Sequence, residues 1–176
     1  MAMAGGAMAD GSATVAATAT VLAPLAISVG QALDFGSFAL KDQTAIGTVL
    51  IGVAADTATL SNTIATSVGN TTTKRGSVTL SGVALATYSI AVSSSATVAA
   101  AGEATMTVSD ITFKANGGSD SEGTGGTNGA GTLIAGGTGL IYVGGKLNVK
   151  SGQTPAGAYS SGTSGGTPLT VTVAYN

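Results

Sequence analysis

The carboxylates are the groups through which this chain would do acid–base chemistry. Its 176 residues include no cysteine and no histidine, which removes thiol nucleophiles, disulfides, the usual zinc ligand sets and any imidazole proton transfer. The candidates are Asp34 in Asp34-Phe35-Gly36, Asp110 inside an alternating stretch, and Asp120 with Glu122 in a glycine-rich segment. Paired acid–base work needs two such groups facing each other across a substrate. Asp34 has instead the setting of a turn residue that bonds its own backbone. Asp120-Ser121-Glu122-Gly123 lacks the ligand alternation of a calcium loop. It reads as a solvated segment, with a weak calcium site as the alternative.

Basic and glycine-rich signals add little chemistry. Lys74-Arg75, the adjacent basic pair, follows Asn70-Thr71-Thr72-Thr73 and is expected at a hairpin tip. Gly136-Gly137-Thr138-Gly139 opens no helix, so no helix dipole stands behind it to hold a phosphate. The expectation is a non-enzyme with no catalytic residue, no cofactor and no metal.

Composition narrows the classes further. One domain with a real core fits the length, and two do not fit comfortably. Charged residues make up 8% of the chain and the net charge is -2, too little for a nucleic-acid footprint or an electrostatic hold on acidic membranes. With 28 glycines and 4% aromatic residues, the core must come from valine, isoleucine, leucine and alanine. Backbone ladder bonds, each contributing a net ~0.5–1.5 kcal/mol, then matter more than a few bulky contacts. No run reaches the ~18 apolar residues of a membrane-spanning helix.

The elements that must position these residues are all strands. Apolar residues recur at period two over residues 25–29, 48–53, 77–80, 87–93, 104–115, 140–143, 146–149 and 169–175. Threonine, valine and isoleucine suit a pleated sheet, and each glycine would weaken a helix by ~1 kcal/mol. Short strands with turns between them predict an all-β antiparallel sandwich. Residues 116–131 hold no apolar residue larger than alanine and read as a loop or hairpin tip. Residues 151–168 form a second Gly/Ser/Thr stretch that leads into the last strand.

The two ends alternate most regularly. Residues 12–21 place Ala13, Val15, Ala17, Ala19 and Val21 on one face, with Thr14, Thr18 and Thr20 on the other. Pro24 then breaks the pattern, and residues 21–29 are expected to be a buried strand pair on either side of it. At the far end Leu169, Val171, Val173 and Tyr175 share one face, opposite Thr170, Thr172, Ala174 and Asn176. An ordinary sandwich in which both are strands among equals is the simpler reading of such alternation. A strand lent to a neighbouring molecule is the sharper one. Ala2-Met3-Ala4 and Ala7-Met8-Ala9 have the small-x-small form cut by signal peptidases, with no charged or apolar leader before them. This points to a mature secreted chain; a start codon followed by linker is the alternative.

Taken in order, Leu25-Ala-Ile-Ser-Val-Gly-Gln-Ala-Leu-Asp-Phe-Gly36, Tyr142-Val-Gly-Gly-Lys-Leu-Asn-Val149 and Val171-Thr-Val-Ala-Tyr-Asn176 resemble a bacterial family of secreted β-proteins related to archaic chaperone-usher pilins and spore-coat-U-type proteins. Tyr175 resembles the penultimate tyrosine of pilins. The likeness covers most of residues 13–176; the lack of cysteine and the glycine-rich 116–131 segment depart from it. It implies an incomplete immunoglobulin-like sandwich over residues 23–176 and a donor-strand extension over residues 1–22. Ala13, Val15, Ala17, Ala19 and Val21 would fill the groove of the next subunit, against an acceptor edge at Val171, Val173 and Tyr175. The implied protein is a subunit of an extracellular, cell-surface filament that serves adhesion or biofilm formation. Its partners would be identical subunits, with a periplasmic chaperone and an outer-membrane usher during assembly.

Two other classes stay open. A carbohydrate- or surface-binding module would need an aromatic platform, hard to build from three phenylalanines and four tyrosines. A calcium-dependent surface-layer protein would need the acidic pair at Asp120 and Glu122.

Overall fold

Period-two runs of branched residues become strands along the chain, and no helix occurs among the described residues. The computed structural model describes residues 11–42, 44, 46–61, 64–65, 72–116, 121–153 and 157–176. The strands are β1 (Ala26–Gln31), β2 (Ala39–Leu40), β3 (Gly47–Ile51), β4 (Ala58–Leu60), β5 (Ile64–Ala65), β6 (Gly76–Ser81), β7 (Thr87–Val92), β8 (Ala96–Val98), β9 (Met106–Asn116), β10 (Ser121–Thr124), β11 (Asn128–Thr132), β12 (Thr138–Val149) and β13 (Val171–Tyr175).

β12 organises the larger sheet. One of its edges pairs with β9 over residues 140–148; the other pairs first with β6 over 138–143 and then with β3 over 145–149. β1 lies outside β6, β4 outside β3, and β8 and β10 share the far edge of β9. A three-stranded sheet, β11-β7-β13, faces it, and β2 pairs with β5 in a small third sheet. All these pairings are antiparallel. Tyr88, Ile90 and Val92 of β7 join Val78, Leu80, Ile141, Val143 and Phe113 of the large sheet in one core. The architecture is thus all-β with two facing antiparallel layers, consistent with a β-sandwich.

A bulge lets β9 serve both halves of that core. Its buried residues are Met106 and Val108, then Ile111, Phe113 and Ala115, a switch from even to odd numbers. The switch falls at Asp110, which has φ of 47°, where the register against β12 slips between Gly144 and Lys146. One extra residue restores the inward face, and aspartate tolerates the left-handed conformation better than most side chains. The Asp110 carboxylate points outward and forms an ion pair with Lys146.

Several expectations are corrected. Residues 116–131 are not a single loop: β10 and most of β11 run through them. Gly123 lies directly opposite Phe113 and Gly131 directly opposite Tyr88, and a Cβ on either glycine would collide with the facing ring. These glycines make room for the largest core side chains. The stretches 140–143 and 146–149 form one strand, β12, which runs on through Gly144 and Gly145 although its register against β9 slips there. Residues 21–29 are not a buried pair: β1 starts at Ala26 and is exposed throughout. Lys74-Arg75 does not cap a hairpin. Lys74 pairs with Asp34 through two backbone hydrogen bonds of 2.8 Å, and β6 follows directly.

Candidate functional site: an open groove between the first and last strands

β1 is an edge strand whose inner face is bare. Ile27 stands opposite Leu80 and Val29 opposite Val78, and directly paired residues share one face of a sheet. Leu80 and Val78 are core residues, Val78 being 8% exposed, yet Ile27 is 45% and Val29 78% exposed. The face that β6 buries is therefore left open one strand further out.

β13 supplies the opposite wall. Ser93 donates its amide to the Thr170 carbonyl and Asn176 donates to the Thr87 carbonyl, so the even-numbered residues of this strand turn their backbone groups towards β7. In an antiparallel ladder the alternate residues turn theirs the other way. The N–H and C=O groups of Val171, Val173 and Tyr175 thus face the free edge, while their side chains are half-buried against the core. Between β1 and β13 runs a groove of about 490 Å³, with Val78, Val108 and Val143 beneath it.

The groove opens into a wider chamber of about 770 Å³, and Ala32, Leu33, Phe35 and Val98 line both. The chamber wall carries Phe38, Met106 and Tyr159. Burial raises the Tyr159 phenol above its ordinary pKa, and the nearby Glu103 charge adds to the effect. The chain enters this wall through a tight turn: the Gly36 amide donates to the Asp34 carboxylate at 2.8 Å, as the sequence predicts for Asp34, and Gly36 takes φ of 71°.

Close to β1's start, Tyr175 ties the last strand to the connection that precedes β1. Its hydroxyl accepts the Val83 amide at 2.8 Å and donates to the Ala23 carbonyl at 3.3 Å. A Cβ at Gly82 would overlap that hydroxyl and touch Leu25 and Leu133, so Gly82 permits the close seat of the ring.

Residues 11–22 leave the domain at this point. They belong to no strand and are exposed, Val15 to 93% and Val21 to 96%. Ala13, Ala17 and Ala19 are exposed with them. The strand expected over 12–21 has no ladder partner among the described residues of its own chain. Of the expected acceptor residues, Val171 lines the groove, while Val173 and Tyr175 lie further along β13 and are not among the residues that line it. Sequence reasoning missed Ile27, Val29 and Phe35 as groove residues. The alternation of Ile27 and Val29 was the available signal, but it reports which side a residue faces and not whether that side is covered.

The carboxylates of the described residues do not converge on one site. Glu122 pairs with Lys114 at 2.8 Å, Asp110 pairs with Lys146, and Asp56 pairs with Lys74 and Arg75. Asp120 lies outside the described residues, as do Ala2-Met3-Ala4 and Ala7-Met8-Ala9. No group of three or more acidic, histidine or cysteine residues placed to hold a metal ion occurs among the described residues. Nor is any helix there long and apolar enough to cross a membrane.

These features define an all-β protein of facing antiparallel sheets with an apolar groove between its first and last strands. The chain belongs to the DUF4402 family, a domain of unknown function, which it matches over residues 25–175. No curated protein and no solved structure matches it. The matched span leaves the exposed segment 11–22 outside.

Proposed function

We propose that the protein is a structural subunit of an extracellular filament, polymerised head-to-tail by lending residues 12–22 to the groove of the next copy. The observation that carries the reading is the bare inner face of β1, with Ile27 and Val29 uncovered beside buried Val78 and Leu80. An added strand would cover this face and meet the free backbone groups of β13. The exposed segment has the matching chemistry: eleven residues extend ~36 Å at ~3.3 Å each, with small apolar side chains on one face. Because the arm and the groove are different surfaces, the contact does not close on itself and yields an open fibre. The fold would then be an immunoglobulin-like sandwich completed in trans, as in chaperone-usher pilins, with secretion, a chaperone and usher route and a role in adhesion as its consequences.

Electron microscopy and sedimentation of the full chain test this. Filaments are expected from the native sequence, and soluble protein from the Val15→Asp/Val21→Asp variant, whose exposed charges leave the domain folded. Filaments of normal yield from that variant, or a native chain that stays monomeric at high concentration, would overturn the reading.

A further inference from the structure

The groove could be filled by the chain's own arm. Only residues 22–25 separate Val21 from the start of β1, and loops of three to five residues commonly join two strands of a hairpin. An arm that turned there would lie antiparallel along the open edge of β1, inside its own groove. Such closure is intramolecular, with an effective concentration on the order of mM for a short tether. Head-to-tail assembly from dilute subunits would lose to it unless the turn were obstructed.

The structure places an obstruction at that turn. Tyr175 reaches from the last strand to the connection and holds the Ala23 carbonyl, while the Val83 amide fixes the same hydroxyl from the other side. Leu25 packs beside Gly82 and against the core. Pro24 restricts the backbone on both sides of the held carbonyl: its own φ is fixed near about -65°, and Ala23 before it is pushed to extended geometry. A four-residue connection is most often built around a type I turn, and Pro24 is disfavoured at the second central position of such a turn because it forces Ala23 out of the helical region. The arm accordingly leaves the domain exposed rather than folded back.

We infer that Tyr175 and Pro24 form a latch that keeps each molecule's arm out of its own groove and so reserves the groove for a second copy. Tyr175 acts here as a positioning residue, and the inference rests on the filament reading above. It assigns a task to the phenolic oxygen beyond the packing of the ring.

The test compares the full-length native chain with Tyr175→Phe, Pro24→Gly and the double variant. Tyr175→Phe keeps the ring and Pro24→Gly changes an exposed residue, so both should fold; circular dichroism checks this. Hydrogen exchange on dilute monomer is the readout independent of assembly. Residues 12–22 should exchange freely in the native chain and be protected at least ~tenfold in the double variant, with filament yield falling in parallel. An arm as unprotected in the double variant as in the native chain would overturn the latch. Protection in the variant while the native chain forms no filament would support the latch and overturn the filament reading instead.

Discussion

The guanidinium carbon of Arg75 lies 3.6 Å from the centroid of the Tyr142 ring. One of its nitrogens donates to the Val53 carbonyl at 2.6 Å, and another lies 3.5 Å from Asp56. The cation thus ties the loop after β3 to the face of β12 just ahead of β6. Arg75→Lys should cost about 1–2 kcal/mol, because an ammonium reproduces neither the planar stacking nor the forked donors. Denaturant unfolding measures the loss. A double-mutant cycle with Tyr142→Leu should return a coupling of about 0.5–1 kcal/mol, and a coupling of zero would show the stacking to be idle.

Gly123 and Phe113 test whether the glycine-rich strands are built around aromatic rings. Gly123→Ala would push a methyl group into the Phe113 ring and should destabilise the protein by about 1–3 kcal/mol. Phe113→Leu in the same chain should recover part of that loss, since the two effects share one space. Additive losses would mean that the ring and the glycine are independent.

Val29 separates folding from assembly. Being 78% exposed, it should accept Val29→Asp with a stability change within about 0.5 kcal/mol, while filament formation is lost. Val78→Asp, directly across the ladder, would bury a charge in the core and cost several kcal/mol. A Val29→Asp chain that assembles normally would remove β1 from the proposed interface.

Alkaline pH acts through Tyr88. Burial raises the phenol of Tyr88 above its ordinary pKa, and its hydroxyl has no hydrogen-bond partner among the described residues. The unfolded chain therefore loses this proton at lower pH than the folded one. The stabilisation is fully present below about pH 10, the usual tyrosine value, and is lost as pH rises through the folded pKa. With no histidine in the chain, stability measured by thermal melts should be nearly flat from about pH 6 to 9 and fall beyond. Tyr88→Phe should change little at neutral pH and reduce the alkaline fall, with the raised Tyr159 phenol supplying the remainder; an unchanged fall would place the sensitivity elsewhere.

The strand interiors were legible because alternation in 87–93 or 169–175 is a direct imprint of one buried face. Asp34 was legible too, since an Asx turn is a local interaction. Three features depended on contacts distant in sequence. Gly123 and Gly131 read as loop because nothing nearby announces that Phe113 and Tyr88 will lie over them. Asp110 sat in an apparent strand, but only the pairing with β12 shows that an extra residue is needed there. Lys74-Arg75 read as a tip, whereas its partners Asp34, Asp56 and Tyr142 come from elsewhere in the chain. For the groove, the residues of the arm and of β13 were read from their regularity, but the bare wall at Ile27 and Val29 appears only once the neighbours are known.

The division of β12's edge between β6 and β3, with β9 along the whole of its other side, also bears on how the molecule comes apart. Neither half of the larger sheet has a central strand of its own, so detaching one half exposes the same ribbon on which the other depends. Heating should therefore melt the protein in a single calorimetric step, with van't Hoff and measured enthalpies in agreement.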